Sequence, residues 1–249
     1  MSAIKIEKLD KTYPAEPPVH ALDKIDLEVG DGEFVALLGP SGCGKSTLLN
    51  LVAGFEQASG GTLRVHGEPI DKPGPDRGVV FQEAALFPWL SVWENVIFGP
   101  KTQGQSPKDY ADRANDMLRI VGLSDFKTHL PVQLSGGMRQ RVGIARILTL
   151  GSRVLLMDEP FGALDAQTRL TMQELLLSVW QQLKPTIVFV THDIDEALFL
   201  ADTIYVMSAR PGRIQARMTV PLVRPRTIED TTSEAFNTMK REILQQIRH

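Results

Sequence analysis

Phe34-Val35-Ala36-Leu37-Leu38-Gly39-Pro40-Ser41-Gly42-Cys43-Gly44-Lys45-Ser46 decides how the rest of the chain is read. Five apolar residues of strand length run into the pattern G-x-x-x-x-G-K-[ST]. An apolar helix over 46–53, closed by Gly54, is predicted to follow. A short run that is apolar at every position is typical of a strand buried on both faces, as in parallel sheets. Glycines let backbone N–H groups approach an anion without Cβ clashes, and a helix N-terminus adds partial positive charge. The segment Gly39 to Ser46 therefore reads as a phosphate cradle. Lys45 is placed to reach the β- and γ-phosphates of a nucleotide, and the Ser46 hydroxyl to ligate Mg²⁺.

Three more apolar runs end in polar residues that phosphate chemistry can use. Val79-Val80-Phe81 meets Gln82, Val154 to Met157 meets Asp158-Glu159, and Ile187 to Val190 meets Thr191-His192. Ligands of open parallel sheets bind beyond the carboxyl ends of the strands, so one sheet would gather these groups with the phosphate loop. Asp158 can hold Mg²⁺ through water, and Glu159 can orient or deprotonate an attacking water. His192 suits a hydrogen bond to the γ-phosphate or to that water; its plain alternative is a capping histidine with no chemistry, since Asp193 with Glu196 three residues on forms a capping signal. Gln82 offers an amide oxygen to Mg²⁺ or to water. Leu134-Ser135-Gly136-Gly137 is a second Gly-rich helix start with Ser135 as N-cap, which reads as another anion site or as a flexible hinge.

Composition narrows the field. The chain has 249 residues, 43% hydrophobic and 23% charged, with net charge −3. Nothing in that balance supports a nucleic-acid protein held by bulk charge. A single cysteine, Cys43, excludes an internal disulfide and suits a reducing compartment. The first residues are too polar for a signal peptide, and no apolar run approaches the roughly 18 residues that span a bilayer. Any membrane role is expected to pass through a partner.

The predicted architecture is α/β. A mostly parallel P-loop NTPase (RecA-like) sheet core carries an N-terminal antiparallel β subdomain and an inserted α-helical subdomain. Residues 1–82 and 151–225 form the nucleotide-binding core, 83–150 the helical insertion and 226–249 a helical tail. Alternation in Ile4-Lys5-Ile6 and Ile25 to Val29 supports half-buried antiparallel strands, with a Pro-rich loop at Pro14 to Pro18. A strand is expected over Thr62 to His66, and helices over Ala111 to Val121 and Met138 to Leu150. Thr203 to Met207 and Arg213 to Val220 flank the hairpin turn Ala209-Arg210-Pro211-Gly212. Phe236, Met239, Ile243, Leu244 and Ile247 recur at helical spacing.

In this order, the Gly39–Thr47 loop, Gln82, Leu134 to Gly137, Asp158-Glu159, Ala163-Leu164-Asp165 and His192 resemble the ATP-binding cassette ATPases from about Lys5 to Val220. The resemblance implies ATP and Mg²⁺ as cofactors and a head-to-tail dimer with a second copy or a homologous subunit. It also implies that Ser135, Gly136 and Gly137 cap, in trans, the γ-phosphate held by the partner's loop, with Asp165 at the seam. Thr47 joins the phosphate loop, and Tyr13 stands where the family has an aromatic that stacks on adenine. Met138 departs from the family's common glutamine but leaves the Ser and Gly contacts in place. Leu86 to Trp93 is expected to line a groove for a short helix of an integral membrane permease, with Trp93 claimed by the subdomain core. Met157 to Asp165 and Ser208 to Ile214 are similar to importers of nitrate, sulfonates and taurine, and importers of pyrimidine precursors look much the same. The implied setting is the cytoplasmic face of the inner membrane, peripheral, with a periplasmic or lipoprotein solute-binding protein as indirect partner and no nucleic acid. Two other readings compete: a cassette ATPase acting on nucleic acid or ribosomes, and a small-molecule kinase. The first calls for long coiled-coil insertions, and the second leaves Leu134 to Gly137 without a purpose.

Overall fold

The structure, a computed structural model, describes residues 2–248. In chain order it begins β1 (Ser2–Tyr13), β2 (Val19–Gly30), β3 (Phe34–Leu38), α1 (Lys45–Ala53), β4 (Gly60–Val65) and β5 (Glu68–Pro69). Then come β6 (Arg77–Val80), α2 (Val92–Thr102), α3 (Pro107–Ile120), α4 (Gly136–Leu150), β7 (Val154–Asp158) and α5 (Ala166–Leu183). The chain finishes with β8 (Thr186–Thr191), α6 (Ile194–Leu200), β9 (Thr203–Met207), β10 (Ile214–Thr219) and α7 (Glu234–Arg248). Two units result, residues 1–74 with 185–249, and residues 75–184.

In the first unit, β1 pairs antiparallel with both β2 and β4, as the alternation of Ile4, Ile6, Leu27 and Val29 with charged neighbours predicts. The apolar β3 runs parallel to β8 and β9 and is buried along its length. Antiparallel β9 and β10 close the expected hairpin. Phe34 and Phe189 pack with ring centroids 6.1 Å apart across β3 and β8. Helix α7 buries Phe236, Met239 and Ile243, while Leu244 stays exposed, so its apolar stripe is a single row of three buried residues. Each such burial stabilises by roughly 1.5–3 kcal/mol, which makes α7 a docked packing helix. Arg226 anchors the approach to it. Its guanidinium is 5% exposed and donates to the carbonyls of Leu198, Phe199 and Ala201 at the end of α6. Burial pushes its pKa down to about 10, which still leaves a cation facing the negative end of the helix at neutral pH.

In the second unit, β6 and β7 pair in parallel and α2, α3 and α4 pack together. The strand expected at Val79 to Phe81 instead starts at Arg77 and stops at Val80, where its pairing with Met157 ends. Phe81 then leaves the ladder and is 39% exposed. The helices predicted over 111–121 and 138–150 start earlier, at Pro107 and Gly136. Their capping residues Ser106 and Ser135 set those starts.

Candidate active site

The first unit supplies the phosphate loop. In the parallel pair of β3 and β8, Leu38 lies opposite Thr191. Gly39 and His192 therefore leave neighbouring strands at the same level. Gly39 is buried, Pro40, Ser41, Gly42 and Ser46 are exposed, and Gly44 and Thr47 are half-buried. Gly44 has φ +97°, and a Cβ there would stand 2.6 Å from Leu22 Cδ2. Only glycine satisfies both constraints. Lys45 is 4% exposed, and its Nζ donates to the carbonyls of Gly39 at 2.7 Å and Pro40 at 2.9 Å. The ammonium is thus held inside the curl of the loop, the position from which a lysine reaches bound phosphate oxygens. Cys43 is 1% exposed beneath the loop, and burial pushes its thiol up.

The β9–β10 turn braces this loop. Gly212 donates its N–H to Ala21 O and accepts from Asp23 N, and a Cβ on it would fall 2.1 Å from Cys43 O. Arg210 Nε donates to Gly42 O at 3.3 Å, and Arg213 pairs with Asp23. Tyr13 ends β1 half-buried. Its hydroxyl donates to Glu56 at 2.6 Å, and Lys11 Nζ lies 4.7 Å from its ring centroid. Burial and the Glu56 carboxylate push the phenol up. His192 is exposed, one residue before the α6 N-cap. Asp193 accepts from the N–H groups of Asp195 and Glu196. Glu196 does not complete a reciprocal cap; its carboxylate accepts from Thr191 Oγ1 at 2.6 Å inside the fold.

The second unit supplies the carboxylates and the signature. Asp158 is the last residue of β7, and Glu159 follows with φ +44°. A non-glycine residue in that region is strained, by about 1–3 kcal/mol, and such strain clusters at functional sites. The turn closes with Gly162 N donating to Glu159 O at 3.0 Å. Gln82 Nε2 lies 3.0 Å from the point where a Cβ on Gly162 would stand, so Gln82 lies beside the Glu159 turn. Ser135 caps α4 through Met138 N at 3.2 Å, and Gly136 and Gly137 form its first turn. Asp165 caps α5 through Thr168 N, and that backbone N–H holds its carboxyl below the usual range. Ser46, Gln82 and Asp158 present hydroxyl, amide and carboxylate oxygens, the hard donors that suit Mg²⁺.

Two glutamine-like amides were not flagged by sequence. Gln140 is 3% exposed and donates to the carbonyls of Phe81, Gln82 and Pro160. Asn95 is fully buried and makes four hydrogen bonds to the backbone of Phe87, Leu90 and Ser91. Their only sequence signal is a polar residue on an otherwise apolar helix face, which reads equally well as surface. Asn95 fixes the 87–91 loop and leaves Trp89 72% exposed beside a groove of about 610 Å³ lined by Ala85, Leu86, Pro131 and Val132. Trp93 is half-buried, with Lys127 Nζ 5.7 Å from its ring centroid.

The family described as ABC transporter matches residues 22–162. The taurine import ATP-binding protein TauB of Rhizobium johnstonii is 52% identical over 206 residues, 83% of this chain and 79% of its own. The nitrate import ATP-binding protein NrtD of Synechocystis is 49% identical over 224 residues, 90% and 83% of the two chains. Among solved structures, cbiO1 of Clostridium perfringens, part of the ABC transporter complex cbiONQ, superposes with TM-score 0.81 at 29% identity, covering 96% and 94%. A dimeric bacterial ABC transporter cassette, MJ0796, superposes at 0.76 and 32% identity, covering 88% and 100%. With the family match spanning more than half of its residues, this chain belongs to the ABC transporters and is one of their ATP-hydrolysing cassettes.

Proposed function

We propose that this cassette energises uptake of a small solute of the nitrate, sulfonate or taurine kind through a membrane permease. The relatives named for taurine and nitrate import support the solute class. Two copies pair head to tail; that the MJ0796 cassette is dimeric supports pairing as such. Each phosphate loop then meets Ser135, Gly136 and Gly137 of the other copy, and Asp165 lies at the seam. Gly39 to Thr47 cradle the phosphates and Tyr13 stacks on the adenine. Ser46, Gln82 and Asp158 hold Mg²⁺, which supplies charge neutralisation at the phosphates. Glu159 takes a proton from the attacking water, and His192 holds that water or the γ-phosphate in line. The protein's part is positioning and charge stabilisation, since a loose phosphoryl transition state needs little covalent help.

The groove beside Trp89 receives a short permease helix, which seats the cassette peripherally at the cytoplasmic face of the inner membrane. A solute-binding protein outside delivers the cargo. Among the described residues no helix is long and apolar enough to cross a membrane, so the permease supplies the crossing.

Glu159, the carboxylate that follows β7 beside Gln82, carries the hydrolytic assignment. Replacing a general base costs about 10²–10⁴ in rate. Glu159→Gln is expected to lower ATP turnover by that range while ATP binding stays within twofold, read by phosphate release and by nucleotide titration. Wild-type turnover in Glu159→Gln overturns the assignment.

A further inference from the structure

Gln140 belongs to α4, one turn on from Gly136 and Gly137, and its amide reaches backbone outside the helix. Its Nε2 lies 3.0 Å from Phe81 O, 2.9 Å from Gln82 O and 2.6 Å from Pro160 O. An amide NH₂ has two hydrogens, so one is shared among three acceptors. The opposite orientation would set an amide oxygen against three carbonyl oxygens, so only the NH₂ end can face them. Oε1 is buried without a hydrogen-bond partner. A buried orphan acceptor is costly. The group is therefore held by the three carbonyls and by nothing on its other side.

Those carbonyls come from two separate segments. Phe81 and Gln82 open the loop that runs along the groove, and Pro160 follows Glu159 in its positive-φ turn. Gln140 also lines the groove itself.

We propose that Gln140 is a positioning residue for hydrolysis: its amide locks the Gln82 loop to the Glu159 turn, so that the amide of Gln82 and the carboxylate of Glu159 are set as one unit. The inference deepens the reading of Glu159 as the base and rests on it. It follows that a displacement of the Gln82 loop by anything filling the groove is passed through Gln140 to the Glu159 turn.

The test uses the full chain with Gln140→Leu and Gln140→Glu, measuring kcat, KM for ATP, the Mg²⁺ concentration for half-maximal rate, and Tm. In Gln140→Leu, kcat is expected to fall about tenfold and the Mg²⁺ requirement to rise. KM for ATP should stay within twofold, because the phosphate loop lies in the other unit. In Gln140→Glu the ionised carboxylate repels the three carbonyls, while the protonated form can donate to one of them. Burial favours the protonated form. The rate of Gln140→Glu relative to wild type should therefore recover as pH falls from 8 to 6, a profile that Gln140→Leu lacks. If Gln140→Leu does not fold, the pH profile of Gln140→Glu decides alone. In the double variant with Glu159→Gln, loss of Gln140 should add little, since residues acting through one another are non-additive.

Unchanged kcat, a loss in kcat matched by KM and Tm, a flat Gln140→Glu profile, or multiplying losses in the double variant overturn the proposal. Should Glu159→Gln itself turn over like wild type, the base assignment fails. The kcat and Mg²⁺ results of the Gln140 single variants then still show whether the amide positions Gln82.

Discussion

The phosphate loop and the Asp158–Gly162 turn do related work and are held in opposite ways. The loop is shaped by close approach of backbone to backbone. Gly44 lies against Ala21 O, Gly212 lies against Cys43 O, and the β9–β10 turn is tied to Ala21 and Asp23. The Asp158–Gly162 turn has no glycine at its strained position. Glu159 takes φ +44° itself, and a glutamine 20 residues upstream in sequence grips Pro160 from the side. At the loop an atom added to Gly212 would meet backbone, whereas at the turn the nearest neighbour of an atom added to Gly162 is the Gln82 side chain, at 3.0 Å.

The largest effect that sharpens this contrast is expected at the turn that braces the loop. In Gly212→Val the Cβ would collide with Cys43 O at 2.1 Å, so either the loop or the turn must shift. Nucleotide affinity is expected to fall at least tenfold, about 1.4 kcal/mol, in a titration with a fluorescent ATP analogue. Unchanged affinity would show that the turn does not shape the loop.

Cys43 probes the same packing more gently. Its thiol is buried and pushed up, so alkylation at pH 7.5 should be at least tenfold slower than in urea-unfolded chain, and bound ATP should slow it further. Protein once alkylated should no longer bind nucleotide. Fast labelling of the folded chain, or full binding after labelling, would break the picture of a tightly packed loop.

The smallest effect is at the helix that follows the other turn. Asp165 caps α5, and its carboxyl is held below the ordinary value of 3.8. A depressed carboxyl contributes stability that is present above the unfolded value and lost as pH falls through the folded one. Asp165→Asn should therefore flatten the fall in Tm below pH 4 while leaving nucleotide affinity alone. An acid limb identical to wild type would remove the cap from the account.

The phosphate loop was legible in sequence because every feature that makes it is local. Glycines, lysine and serine fall within eight consecutive residues, between an apolar strand and a capped helix. The same holds for Ser135 as a cap, for the β9–β10 hairpin, and for the polar ends of the strands that carry Asp158, Glu159 and His192. These patterns follow from periods of 2 and 3.6 and from turn chemistry, which neighbouring residues settle among themselves.

Tertiary structure decided the rest. Sequence could not show that β6 would stop at Val80 and release Phe81, because that end is set by where β7 ceases to pair. It could not separate Gln140 or Asn95 from ordinary surface amides, since an amide gains its meaning from which carbonyls are folded against it. It gave no sign that Glu159 would take a left-handed backbone, or that Arg226 would lie buried under the last carbonyls of α6. Local sequence sets which elements form and which groups stand at their ends. Only the packing of segments far apart in the chain fixes the hydrogen bonds and close contacts that hold those groups in place.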